Sequence, residues 1–152
     1  MTDPDPLALE RQVCFALAVA NRAVLSVYRP ILAPMGLTHP QYLVMLALWE
    51  ASPRSVKEIA EALQLDSPTL SPLLKRLEAQ GLLTRGRSTD DERRIDVELT
   101  EAGHGLREQA LAVPPAVIER LGASLEELED LHRVLTTVNA KALAAGALKE
   151  SR

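Results

Sequence analysis

Apolar positions along the chain follow helical spacing first. From Leu9 to Val27 they are dense enough for a helix and lie on several of its sides, which predicts burial against more than one neighbour. Pro30, Pro34 and Gly36 are expected to interrupt it before a new start. Thr38 is suited to cap the next helix, with Pro40 in its first turn, Tyr42 to Trp49 supplying its buried residues, and Ser52 and Pro53 ending it. Ser55 and Glu58 have the spacing of a capping box, in which the serine oxygen and the glutamate each satisfy a free amide. They open the short helix SVKEIAEAL, with Val56, Ile59, Ala60 and Leu63 as its buried set.

After the turn QLDS comes SPTLSPLLKRLEAQG. Leu70, Leu73, Leu74 and Leu77 fall at i, i+3, i+4 and i+7 and make one apolar stripe; Pro68, Ser71, Pro72, Lys75 and, at the margin, Arg76 occupy the opposite face. Pro72 conflicts with a helix interior, because it removes a ladder bond and crowds the carbonyl four residues back, so a loose start or a distorted turn is expected there. Gly81 supplies the stop.

The period then changes to two. Ile95, Val97 and Leu99 alternate with Arg94, Asp96 and Glu98, as in a half-buried strand, and Leu82 to Arg87 is expected to pair with it across the polar tip Ser88 to Glu92. Thr100 can cap another helix running to about Val113, where Pro114 and Pro115 break or redirect it. Ser124 and Glu127 form a second capping box, before Leu125, Leu128, Leu131, Leu135, Val138 and Ala142 at near-heptad spacing, a stripe suited to pairing with another helix. The predicted fold is mainly α with a small β-wing.

Composition narrows what such a chain can be. Its 152 residues suffice for one domain, or for a small domain with an oligomerisation element. A single cysteine makes no internal disulfide, and no Cys and His cluster has zinc-site spacing, so a reducing cytoplasm is expected, with no metal or cofactor. His104 and His132 stand alone and read as surface residues. The acidic start MTDPDP leads into no signal-peptide pattern, and the longest uninterrupted apolar run is far short of the ~20 residues of a membrane span, so neither export nor membrane insertion is expected.

A net charge of −4 argues against non-specific nucleic-acid binding by the whole chain, but the charges are unevenly placed. Lys75, Arg76, Arg85, Arg87, Arg93 and Arg94 fall within twenty positions, whereas Glu126, Glu127, Glu129 and Asp130 make the C-terminal part acidic. Two short helices joined by a tight turn and followed by a charged hairpin make a winged helix-turn-helix. Burying the leucine stripe frees the opposite face of the second helix for a major groove. Ser67, Thr69 and Ser71 at its N-terminal end can then reach bases or phosphates, and Lys75 and Arg76 can hold the backbone. Arg93 or Arg94 can enter a minor groove, with Arg85 and Arg87 near phosphates. Charge alone fits a solvated basic helix equally well; the ordered series of cap, turn, helix and arginine-bearing hairpin favours double-stranded DNA over a purely helical interaction module.

Cys14 sits within eight apolar residues, Val13 to Ala20. Tyr28 follows fourteen positions later, close to four helical turns, so the two share a face yet lie ~21 Å apart along one helix. They cannot touch within one chain, but could meet if the first helices of two subunits run antiparallel about a two-fold axis, which would give two equivalent sites per homodimer. A lone cysteine otherwise packs as a small hydrophobe.

DERRIDVELT, Asp91 to Thr100, resembles the wing signature of the MarR family of bacterial regulators, Asp-x-Arg followed by alternating apolar residues and Leu-Thr. LDSPTLSPLLKRLEAQGLLTR, with QVCFAL, YRP and HPQYL to LWE, is similar to the organic hydroperoxide-sensing branch, one-cysteine type. The resemblance covers nearly the whole chain. It implies that Asp91 braces Arg93 for the minor groove, that Pro72 is a tolerated feature of the recognition helix, and that Tyr28 hydrogen-bonds the thiolate of Cys14 across the dimer. It further implies a dimerisation region at 1–36 and 101–152 flanking a DNA-binding lobe at 37–100. The expected function is a repressor that leaves a pseudo-palindromic operator when an organic hydroperoxide oxidises Cys14.

With no second cysteine to resolve a sulfenic acid, a mixed disulfide with a low-molecular-weight thiol, or overoxidation, would follow. His39 stands where the branch often has a second tyrosine: a neutral imidazole can replace that hydrogen bond, a protonated one favours the thiolate more strongly, and a first-turn surface role is the ordinary alternative. Tyr42 reads as core or pocket wall. The main rival is a MarR-like regulator switched by a phenolic ligand. A thiol-dependent peroxidase is disfavoured, because no resolving cysteine and no Arg or Thr beside Cys14 is present, so no enzyme is expected.

Overall fold

A computed structural model describes residues 5–148; residues 1–4 and 149–152, the outer ends of the expected dimerisation region, lie outside the described residues. Among the described residues, seven α-helices and three short strands follow in the order α1 (Val13–Leu32), α2 (His39–Glu50), β1 (Arg54–Ser55), α3 (Val56–Leu63), α4 (Ser67–Ala79), β2 (Leu83–Arg87), β3 (Ile95–Leu99), α5 (Glu101–Ala110), α6 (Val113–Leu121) and α7 (Leu125–Ala144). The strands form one antiparallel sheet in the order β1-β3-β2, with Leu83 opposite Leu99 and Arg87 opposite Ile95. The hairpin is where the alternation placed it. β1 was not legible, because two residues carry no period; they join the sheet by register, Arg54 opposite Val97 and Ser55 opposite Asp96.

The core forms around α4. Leu70, Leu74 and Leu77 are fully buried with Leu32, Met45, Leu48, Ile59, Leu83 and Val97. Leu73 completes the stripe from a half-buried position. Burying each leucine is worth about 2 kcal/mol, and one interior proline costs about 3 kcal/mol. Three buried leucines therefore outweigh Pro72, and α4 runs unbroken from Ser67 to Ala79. The same cluster takes in Met35 and Tyr42 on one side and Ala110, Val113 and Val117 on the other, so one continuous core crosses both boundaries of the expected lobe.

Three expectations about helix boundaries are corrected. Pro30 does not interrupt α1, which continues to Leu32; the missing bond is one rung, and Val27, Tyr28, Ile31 and Leu32 pack on the core around it. The helix also starts later, at Val13, after a short 3-10 turn at Leu9–Arg11. Pro114 and Pro115 do not merely break α5: they sit in the first turn of α6, where amides have no helical partner to lose.

Ser55 and Glu58 make only half of a capping box. Ser55 Oγ accepts from the Glu58 amide at 3.0 Å, but the Glu58 carboxylate turns instead to Arg94, 2.7 Å away. Thr38 with Gln41, and Ser124 with Glu127, close both bonds.

Burial of α1 on several sides is not found within one chain. Only Leu32 is fully buried, and Val13, Phe15, Leu17 and Val19 are exposed. Helix α7 buries no residue at all, with Leu125, Leu131, Val134 and Val138 open. Because Pro30 does not break the chain, the 23-residue segment Val13–Met35 is long and apolar enough, by length and composition, to cross a bilayer, which counting uninterrupted apolar runs did not reveal. It carries Arg22 and Arg29.

Candidate nucleic-acid interface and thiol site

Helices α3 and α4 are joined by a turn in which Gln64 takes the left-handed conformation, φ 56°, ending α3. Asp66, which the sequence reading passed over, caps α4: its Oδ1 accepts from the Thr69 amide at 3.1 Å. The Thr69 hydrogen bond also holds the Asp66 carboxyl below the usual aspartate range. With the leucines turned inward, Ser67, Pro68, Thr69, Ser71, Pro72, Lys75 and Arg76 all lie on exposed positions of the helix. This is the surface that the amphipathic pattern required.

The wing sorts its arginines into two kinds. Arg93 projects with 93% of its side chain exposed, its Nε 3.4 Å from Asp91 Oδ1, and the same carboxylate oxygen accepts the Arg93 amide at 3.0 Å. Arg87 is exposed at the end of β2. Arg85 lies against Glu78, accepted at 3.2 Å through its Nη2, and the pair holds the Glu78 carboxyl below the usual glutamate range, through the Arg85 hydrogen bond first. Arg94 is held by Glu58 and by Asp96, at 2.7 and 2.8 Å. A cleft of about 600 Å³ brings Ser67 at the start of α4 together with Lys57, Asp91, Arg93 and Arg94.

The thiol elements come together only in part. Cys14 is exposed near the N-terminus of α1. Tyr28, on the same helix, lies instead against His39, their ring centroids 4.7 Å apart and edge to face. Tyr42 stands 6.1 Å from Tyr28 and 6.3 Å from His39 and is buried in the core, which makes it wall rather than surface. His39 is thus a partner of Tyr28 rather than a free first-turn side chain. His104 and His132 are exposed, and among the described residues no group of His, Cys, Asp and Glu is arranged for a metal.

Burial pushes the Tyr28 phenol up and the His39 imidazole below its ordinary value of 6.5. The unfolded chain therefore takes up this proton first. Stability is full above 6.5 and falls as pH drops through the lowered folded value. His39→Phe is expected to remove that loss, read by urea unfolding at pH 5 and pH 7; equal pH slopes in wild type and variant would count against a buried neutral imidazole.

The comparisons with known proteins agree on one kind of protein. Residues 26–109 match the transcriptional regulator SarA/Rot family. The chain is 43% identical over 134 residues, 88% of its length and 91% of the relative's, to the organic hydroperoxide resistance transcriptional regulator of Bacillus subtilis (strain 168). The structure of reduced AbfR bound to DNA, 32% identical, superposes with a TM-score of 0.73 over 89% of this chain and 94% of that one. MarR from E. coli, at 22% identity and a TM-score of 0.67 over 84% of this chain and 96% of that one, shares the fold. The chain accordingly belongs to the MarR family of DNA-binding winged-helix transcriptional regulators, in the organic hydroperoxide resistance branch.

Proposed function

We propose that the protein is a redox-sensing repressor that binds a pseudo-palindromic operator as a homodimer and leaves it when an organic hydroperoxide oxidises Cys14. The observation that carries this reading is the layout of α1: an exposed thiol at one end, a Tyr28 and His39 pair at the other, and open apolar side chains between. Antiparallel pairing about a two-fold axis covers that apolar face and brings each Cys14 beside Tyr28 of the partner subunit. The open stripe of α7 supports the same assembly, with 37–100 as the DNA-binding lobe and the flanking segments as the dimerisation region.

In the chemical step the Cys14 thiolate attacks one peroxide oxygen, the O–O bond breaks, and the alkoxide leaves as an alcohol after taking up a proton. Sulfur becomes a sulfenic acid. A low-molecular-weight thiol then displaces water to give a mixed disulfide. The apolar neighbours Val13, Phe15 and Leu17 favour greasy peroxides over hydrogen peroxide. On DNA, Ser67, Thr69, Ser71 and Pro72 form the major-groove face, Lys75, Arg76 and Arg87 hold phosphates, and Arg93, braced by Asp91, enters the minor groove. Arg85, tied to Glu78, is less available. A regulator of this kind works in the cytoplasm, on the nucleoid.

The test uses a duplex selected by the reduced wild-type protein from a random pool, with affinity measured before and after one equivalent of cumene hydroperoxide. A hundredfold loss, ~2.7 kcal/mol shared between two half-sites, is expected for the wild type and none for Cys14→Ser. Unchanged binding of the oxidised wild type would sink the proposal. One observation favours a second reading: a groove of about 360 Å³ lined by Tyr42, Leu46, Trp49, Arg107, Leu111 and Pro114 is of the size that takes a small aromatic ligand. A phenolic switch there predicts a ligand response that survives Cys14→Ser.

A further inference from the structure

Arg94 has the composition of a DNA contact and the surroundings of a fastening. Its Nη2 lies 2.7 Å from Glu58 Oε1, and its Nε donates to Asp96 Oδ1 at 2.8 Å. One guanidinium between two carboxylates leaves that spot with a net charge of about −1, which repels a phosphate rather than attracting it. The backbone of Arg94 is equally committed: its carbonyl accepts from the Ser88 amide at 2.8 Å, and its amide donates to the Asp91 carbonyl at 2.9 Å, closing the wing loop from both sides.

The two partners of the side chain lie on two different elements. Glu58 is in the first turn of α3, and Asp96 lies in β3 opposite Ser55, the cap of that helix. Through α3 and the turn, this junction reaches the start of α4. Arg93, by contrast, is anchored, among the described residues, within its own loop, to Asp91. What fixes the wing tip relative to the recognition helix is therefore the residue after it.

We propose that Arg94 is a positioning residue for DNA binding, which clamps the wing to α3 through Glu58 so that Arg93 and the face of α4 meet adjacent grooves together. The proposal rests on the winged-helix reading of the site and opposes the direct DNA contact that the sequence pattern suggested for Arg94. Its strongest consequence is a sign. If Arg94 contacted DNA, Glu58→Gln would free it and remove a negative charge near phosphate, and binding would tighten. If Glu58 is half of a clamp, binding weakens.

The experiment measures the affinity of the full-length wild type, Arg93→Ala, Arg94→Ala, Glu58→Gln and the Glu58→Gln/Arg94→Ala double variant across a KCl series. The DNA is the duplex selected by the wild type. Arg93→Ala is expected to lower the slope of log affinity against log salt by about one per wing. Arg94→Ala and Glu58→Gln are each expected to lose about tenfold in affinity with the wild-type slope, and the double variant to lose no more than either single one. Amide exchange in the DNA-free protein gives an independent reading: wing amides from Arg87 to Ile95 should exchange faster in Glu58→Gln, with the core unchanged.

Tighter binding by Glu58→Gln, or a slope for Arg94→Ala reduced as much as that of Arg93→Ala, overturns the proposal. So do unaltered wing amides. A wild type that selects no duplex overturns the winged-helix DNA reading itself, and faster wing exchange in Glu58→Gln would still show the clamp in that case.

Discussion

Gly103→Ala is expected to destabilise the protein by about 3 kcal/mol, a cost at the upper end for an added methyl group in a packed interior. Gly103 lies buried in α5, and a Cβ there would meet the Leu82 carbonyl oxygen at 2.1 Å and the Leu99 side chain at 3.1 Å. The obstacle is backbone, which has no rotamer to change. Its position is fixed by the hydrogen bond that the Thr100 amide donates to Leu82 at 3.1 Å, next to the one from the Thr100 hydroxyl to the Gly81 carbonyl. Moving α5 away would also stretch the bond from the Trp49 indole to the Gly103 carbonyl, 2.9 Å, so α2, α5 and the hairpin would all have to shift. Urea unfolding compares the variant with Gly105→Ala, whose Cβ would meet nothing within 4 Å and should cost little. Equal stabilities for the two variants would show that the close approach is not maintained in solution.

Leu131→Glu combined with Val138→Glu is expected to convert the dimer to a folded monomer. The two positions are seven residues apart, two turns along one face of α7, and 51% and 44% exposed within the chain. Neither is buried in its own subunit, so the fold should survive. A two-fold helix pairing instead counts each carboxylate twice and places it in an apolar contact without a partner, at roughly 3 kcal/mol or more per buried charge. Sedimentation should show a monomer, and operator affinity should fall by at least a hundredfold, since one lobe reaches one half-site. A variant that remains dimeric would place the interface away from this face of α7.

Much of the wing was legible before any coordinates, because its signals are local. The alternation of Ile95, Val97 and Leu99 needs no knowledge of the rest of the chain, and neither does the four-leucine stripe of α4 or the caps at Thr38, Thr100 and Ser124. Errors came where tertiary packing overrides a local preference. Pro30 read as a break and Pro72 as a loose start or a distorted turn, and both lie inside continuous helices, since packed neighbours outweigh one lost rung. Pro114 and Pro115 read as a break or a redirection and serve as the beginning of α6, which local sequence permits equally. Gly103 gave no sign of its role, because a glycine in a helix looks alike whether it is tolerated or required.

Charge was the least legible property. Six basic residues within twenty positions predicted a basic face, and the sequence offered no means of ranking them. Arg85 and Arg94 are held by carboxylates from α4, α3 and β3, while Arg87 and Arg93 remain exposed. Glu58 shows the same effect from the acidic side: its spacing from Ser55 promised a helix cap, and a guanidinium brought close by the hairpin won the carboxylate.

By itself the sequence determined the helical and strand periods, the placing of most caps, the lone thiol and the family, all of which are encoded over short spans of chain. Only the tertiary structure decided which cations are tied to carboxylates of other elements, why residue 103 must be glycine, and that His39 rests on Tyr28 while Cys14 stands apart in an open apolar face. The physical reason is range. Hydrogen-bonding and side-chain periods act between residues a few positions apart, whereas the fate of a charge or a buried methyl depends on atoms that only the folded chain brings within a few ångströms.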